Sequence, residues 1–164
     1  MFFGMSSFTV TRSIETSASP ADVRALVDDV REWSSWSPWC AADTAPGNAR
    51  LEIGGPDFGE GAFIAWSGAG ATTDGNAIVV LSAPGVVEVR LVITRPYRLN
   101  VPVQFAFDPV DGGTLVTCSA SGDTRGAWSA FAAARRSRRL GRDLASALAG
   151  LSRRAAAGSA ARVS

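Results

Sequence analysis

Trp33-Ser34-Ser35-Trp36-Ser37-Pro38-Trp39 is the junction from which the rest of the chain can be ordered. The residues before it read as one strand and two short helices. The residues after it read as six short strands and one long helix. Each indole buries on the order of 200 Å², so three in seven residues form a large apolar mass for a connecting segment. A helical period puts Trp33 and Trp36 on one face. Pro38 pushes Ser37 out of the α region, so Trp39 leaves the helix and is expected to turn back under a sheet. Two roles fit this segment: an aromatic plug closing the end of a core, and an aromatic wall at a ligand entrance.

Upstream, Phe8 to Thr16 alternates as a strand, with Val10, Arg12 and Ile14 sharing one face. Ser19-Pro20 supplies an N-cap and a proline at the first helical position. Asp29 with Glu32 three residues on has the form of a capping box opening a second short helix. Downstream, strands are expected at roughly 49–53, 62–68, 76–82, 86–95, 100–108 and 114–121, separated by glycine and proline turns. Val87, Val89, Leu91 and Ile93 alternate with Glu88 and Arg90, and Val103, Phe105 and Phe107 alternate with Gln104 and Ala106. Both patterns describe antiparallel strands with one wet face. The chain closes with a helix over 127–156, whose Leu140, Leu144, Leu148 and Leu151 fall within about 80° of one another. Arg135, Arg138, Arg139 and Arg142 fall opposite. Residues 157–164 read as a flexible tail. The whole is one domain over 1–156, of α+β class: a curved seven-stranded antiparallel sheet wrapped around the long C-terminal helix, with two short helices after strand 1. The gap between sheet and helix either fills with side chains or holds a ligand.

The composition excludes much. The 164 residues contain no histidine and no lysine, and all 16 basic residues are arginine. Ser-His-Asp and Cys-His mechanisms, the usual zinc sites, Schiff-base chemistry and a P-loop lysine are therefore ruled out. Gly59-Glu60-Gly61 precedes a strand rather than joining a strand to a helix, so it is not read as a phosphate loop. No cofactor, metal or nucleic-acid partner is expected. Cys40 and Cys118 have no metal or redox spacing and are read as free thiols in a reducing cytoplasm. Met1-Phe2-Phe3-Gly4-Met5 lacks the basic and apolar regions of a secretory signal. Net charge is +1, unevenly spread: residues 125–164 carry nine arginines and one acid, Asp143, while residues 1–124 carry seven arginines and fourteen acids. The basic end reads either as the solvated face of a helix or as a docking surface for an acidic partner or membrane. On that second reading Trp128 and Phe131 stand beside the arginines; on the other, a bend near Gly126 to Ser129 turns them inward as a lid on the cavity. The sequence sets no oligomeric state.

Several separate stretches together resemble a known superfamily. They are Val10-Thr11-Arg12-Ser13-Ile14 with Ala18-Ser19-Pro20-Ala21-Asp22-Val23, Asp29-Val30-Arg31-Glu32-Trp33 with Trp36-Ser37-Pro38-Trp39, and Gly59-Glu60-Gly61 before Trp66-Ser67-Gly68. Further along come Pro84, Arg95-Pro96-Tyr97, Phe105-Ala106-Phe107-Asp108-Pro109 with Gly113-Thr114-Leu115-Val116-Thr117, and Leu140-Gly141-Arg142-Asp143-Leu144. Their order resembles the START/Bet v 1-like (SRPBCC) helix-grip fold, in particular its bacterial polyketide cyclase/dehydrase and lipid transport family. The resemblance implies a cavity for a small hydrophobic ligand, lipid- or polyketide-like, and in some members an aromatic cyclase or dehydratase activity. Which of these applies does not follow from the fold.

Element parity selects the residues expected to line such a cavity: Ile64, Trp66, Val89, Leu91, Ile93, Val103, Phe105, Phe107, Val116, Cys118 and Leu144, with Trp39 at the entrance. Cys118 and Ala120 are small where relatives often carry bulkier groups, so the space is either enlarged or filled by a neighbour such as Trp66. Arg12 lies on the apolar parity of its strand, where a guanidinium is costly unless paired. It is expected either to pair with an internal acid such as Asp143 or to meet an anionic ligand group at the cavity mouth. Tyr97, the only tyrosine, is expected either to donate to a ligand carbonyl or to pack at a strand end.

Overall fold

The structure, a computed structural model, describes residues 6–40, 50–68, 73–124 and 129–163. Strand β1 (Ser6–Thr16) leads into helix α1 (Pro20–Asp28) and a 3₁₀ turn of helix (Val30–Ser35). Six strands come next: β2 (Arg50–Gly54), β3 (Phe63–Ser67), β4 (Asp74–Ala83), β5 (Val86–Arg95), β6 (Leu99–Val110) and β7 (Gly113–Thr124). Helix α2 (Ser129–Val163) is the last element. It runs on through Gly158 rather than stopping at 156, so the expected tail is helical as far as Val163.

The seven strands form one antiparallel sheet in the order β1-β7-β6-β5-β4-β3-β2. Its register sets Phe105 opposite Cys118, Val103 opposite Ala120, and Val10 opposite Ala120 on the other flank of β7. Alternation works as the sequence implies: Val87, Val89, Leu91 and Ile93 are buried, and Glu88, Arg90 and Val92 are not. The buried face meets Leu140, Leu144, Ala147, Leu148, Leu151 and Ala155 of α2, and these residues share one core cluster with the strands. This is the expected helix grip.

Local sequence chemistry sets the entry to the grip. Ser19 caps α1, its hydroxyl accepting from the Asp22 amide at 3.2 Å. Asp29 caps the 3₁₀ turn by accepting from Arg31 N at 3.0 Å. The reciprocal half of the expected capping box is not made. Glu32 instead reaches across to Arg154 of α2, 3.3 Å away. Asp28, at the end of α1, accepts from Ser82 of β4 at 2.7 Å, and Arg24 donates to the same serine at 2.9 Å. These contacts tie α1 to the sheet.

The tryptophan segment is a plug. In a 3₁₀ helix residues i and i+3 eclipse, which sets the Trp33 and Trp36 rings 4.9 Å apart. Trp36 stands edge-on to Phe105, the cross-strand partner of Cys118, at 5.9 Å. Trp33 donates to Val27 O and Trp36 to Leu26 O, at 2.9 and 2.8 Å. The plug seats on α2 because Gly150 lacks a side chain. A Cβ there would collide with the Trp36 carbonyl oxygen.

Candidate functional site

Trp39 leaves the plug and extends a polar thread through the apolar core. Its carbonyl accepts from the buried Thr73 hydroxyl at 2.7 Å, and that hydroxyl accepts from Trp66 Nε1 at 2.9 Å. At the other end, Trp39 Nε1 donates to Asp143 Oδ2 at 3.3 Å. Tyr97 donates to the same oxygen at 3.1 Å. The β5–β6 turn, which carries a cis Arg95–Pro96 peptide, presents Tyr97 to α2. The Arg139 guanidinium lies 4.4 Å from the centre of the Tyr97 ring, a cation–π contact. Half-burial raises the Asp143 carboxyl above its ordinary range, against the hydrogen bonds from Tyr97 and Trp39 and the charges of Arg139 and Arg142. The Tyr97 phenol is also raised, first by burial and then by the carboxylate beside it.

This cluster opens on a cleft of about 520 Å³ bounded by Tyr97, Leu99, Arg135, Arg136, Arg139, Leu140 and Arg142. The size lies within the roughly 300–1,000 Å³ common for small-ligand sites. The cleft has an apolar floor, Leu99 and Leu140, and an arginine rim from successive turns of α2. The spacing of 135, 139 and 142 brings those three to one side of the helix. Two further concavities adjoin it. One, of about 450 Å³, includes Phe8, Ile93, Leu99, Val101 and Arg136. The other, of about 540 Å³, is bounded by Arg12, Arg135, Arg138 and Arg142.

The family model for polyketide cyclase/dehydrase and lipid transport matches residues 7–156. The chain belongs to that family. Fold neighbours of this cyclase/dehydrase family member agree, at identities that speak for the fold alone. The di-domain ARO/CYC protein StfQ of the steffimycin biosynthetic pathway is similar at 12% identity and a TM-score of 0.68, over 94% of this chain and 52% of that one. Ara h 8.0201 is similar at 11% identity and 0.66, over 93% and 99%. A norcoclaurine synthase point mutant from Thalictrum flavum is similar at 12% and 0.66, over 96% and 99%. No curated protein matches the chain in sequence.

The residues expected from sequence to line a cavity divide into three sets. Ile64, Trp66, Val89, Leu91, Val103, Phe105, Phe107, Val116, Cys118 and Leu144 are buried together in the core cluster, with Trp39 beside them. Ile93, buried in the same cluster, also borders one surface concavity, and Tyr97 borders another. Arg12 keeps the helix-facing parity of Val10, with both side chains against Gly141 of α2, but it is exposed, donates to its neighbour Thr11 O at 2.8 Å, and does not pair with Asp143. The reason is Gly141. Where β1 faces α2 at this point the helix is bare, so the Arg12 guanidinium itself lies against the helix backbone at the protein surface.

Sequence reasoning missed the joining of Tyr97 to Asp143 and the role of Leu99 and Leu140 as a floor. One signal was present: Asp143 is the lone acid among nine arginines in residues 125–164. Trp128 and the side chain of Phe131 lie outside the described residues. Among the described residues no helix is long and apolar enough to cross a membrane, and no cluster of His, Cys, Asp or Glu suits a metal ion.

Proposed function

We propose that the protein binds a small hydrophobic ligand that carries an anionic group, lipid- or polyketide-like, in the cleft between the β5–β6 turn and α2. The observation that carries this reading is the pairing of the Leu99–Leu140 floor with the rim of Arg135, Arg136, Arg139 and Arg142. Guanidinium groups suit carboxylate and phosphate heads, while the apolar body of the ligand covers the leucines. The family supports a hydrophobic ligand. The cleft adds the charge, and on this reading the site lies at the mouth of the grip rather than between sheet and helix. The buried thiols Cys40 and Cys118 support a reducing, cytoplasmic setting.

The test is fluorescence titration with a polyene fatty acid and its methyl ester. The acid is expected to bind at least about tenfold more tightly, a difference of about 1.4 kcal/mol. Arg136→Gln with Arg139→Gln removes that preference. Equal binding of acid and ester to the parent protein would sink the reading.

The Asp143–Tyr97 pair favours a cyclase or dehydratase as second reading. A carboxyl raised above its ordinary range, one hydrogen bond behind the Tyr97 that borders a cleft rimmed by guanidinium groups, suits proton transfer next to a ligand carbonyl through the phenol, with the oxyanion held by arginine. On this reading Asp143→Asn abolishes turnover of a poly-β-keto thioester analogue and leaves its affinity intact. On the binding reading neither protein turns it over.

A further inference from the structure

Arg12, Arg135, Arg138 and Arg142 bound a concavity of about 540 Å³ on the outer side of α2, and no carboxylate stands among the residues that bound it. The four come from opposite ends of the chain, Arg12 from β1 and the others from α2. Gly141 is what lets them converge. A Cβ at that position would collide with Arg12 Nη2, so only the bare helix backbone allows the guanidinium to lie against α2. Its other nitrogen is held by Thr11 O. The Arg12 head is thereby held on the helix surface. Arg138 is likewise drawn along its own helix, with Nε donating to Ala134 O at 3.4 Å.

Two of these arginines, Arg135 and Arg142, also rim the ligand cleft. The basic face and the cleft mouth are therefore one continuous surface. We infer that this face seats the protein on an anionic lipid surface, with the cleft opening toward the bilayer. The inference rests on the reading of the cleft as a site for an amphipathic anion. Such a ligand partitions into lipid, and a mouth bordered by headgroup-binding arginines receives it without passage through water. Charge complementarity sets the partner: six arginines (12, 135, 136, 138, 139 and 142) bound the cleft and the face beside it, and no acid is among the residues that bound either.

Co-sedimentation of the full chain with phosphatidylcholine vesicles, with and without phosphatidylglycerol, tests this. Binding is expected only to the anionic vesicles, and it should vanish in about 0.5 M salt, where the screening length falls to roughly 4 Å. Arg12→Gln with Arg138→Gln should lower partitioning about thirty-fold, since each arginine near an anionic leaflet contributes about 1 kcal/mol. Neither residue bounds the cleft, so the double variant keeps the fatty-acid affinity of the parent without vesicles. This separates failure of the docking face from failure of the cleft. Gly141→Ala, checked for a native circular dichroism spectrum, should weaken vesicle binding by displacing Arg12. Binding to neither vesicle, equal binding to both, or a double variant that sediments like the parent would overturn the inference. So would saturable binding of soluble glycerol phosphate without sedimentation, which gives the face to a small solute.

Discussion

Replacing Asp143 separates the two things its carboxyl does. One oxygen accepts from Trp39 Nε1 and from Tyr97 Oη, so the side chain ties α2 both to the tryptophan segment and to the β5–β6 turn. Burial meanwhile opposes its charge. Asp143→Asn keeps an acceptor oxygen and removes the charge. Asp143→Ala removes both. In the alanine variant the Trp39 indole, only 2% exposed, keeps a donor with no partner, a loss of about 1–3 kcal/mol, whereas the half-buried Tyr97 hydroxyl turns to water at about 0.5–1 kcal/mol. Alanine should therefore be less stable than asparagine by about 2 kcal/mol, read as a drop of roughly 1 M in the urea midpoint. The pH dependence has a definite sign. A carboxyl raised in the folded state binds its proton more readily there than in the unfolded chain, so its contribution is complete below the ordinary carboxyl range and declines as pH rises through the folded value. The asparagine variant should thus gain on the parent as pH rises above the ordinary carboxyl range, about 4. Equal urea midpoints for alanine and asparagine, or an asparagine variant that loses ground as pH rises, would refute this account of the cluster.

Gly150→Ala should lower the melting temperature, although alanine is the better helix former by about 1 kcal/mol. The new methyl meets the Trp36 backbone, and such overpacking typically costs about 1–3 kcal/mol; a raised melting temperature would mean that the plug does not rest on α2. Both thiols should be silent to Ellman's reagent at pH 8 in the native protein and titrate together in guanidinium chloride. Burial pushes Cys40 up to about 11 and raises Cys118 further, and rapid native labelling of either would contradict the packing around it.

Much of the fold is legible in the sequence because its signals are local. The alternation at Val87–Ile93 and Val103–Phe107 gives strands with one buried face, and the stripe at Leu140, Leu144, Leu148 and Leu151 gives the helix they grip. Ser19-Pro20 opens α1 as expected. The site is less legible because it is made by long-range meetings. Nothing local to Tyr97 says that its hydroxyl reaches a residue 46 positions later. Parity turns Arg12 toward α2, and only the absence of a side chain at Gly141, on another element, lets its guanidinium rest on the helix surface. Parity also cannot tell a cavity wall from a filled core. Ile64, Val89, Phe105 and Val116 have the same pattern in either case, and the concavities form instead where strand ends meet the arginine side of α2.

The location of the ligand is the most direct test. Two-dimensional amide NMR of the protein, titrated with a medium-chain fatty acid, reads each backbone position as the ligand fills its site. The account predicts shifts centred on Tyr97, Leu99, Arg136, Arg139 and Leu140, with the largest at the arginine rim. Shifts centred instead on Val89, Leu91, Phe105, Val116 and Cys118 would place the ligand between sheet and helix and contradict the assignment of the cleft.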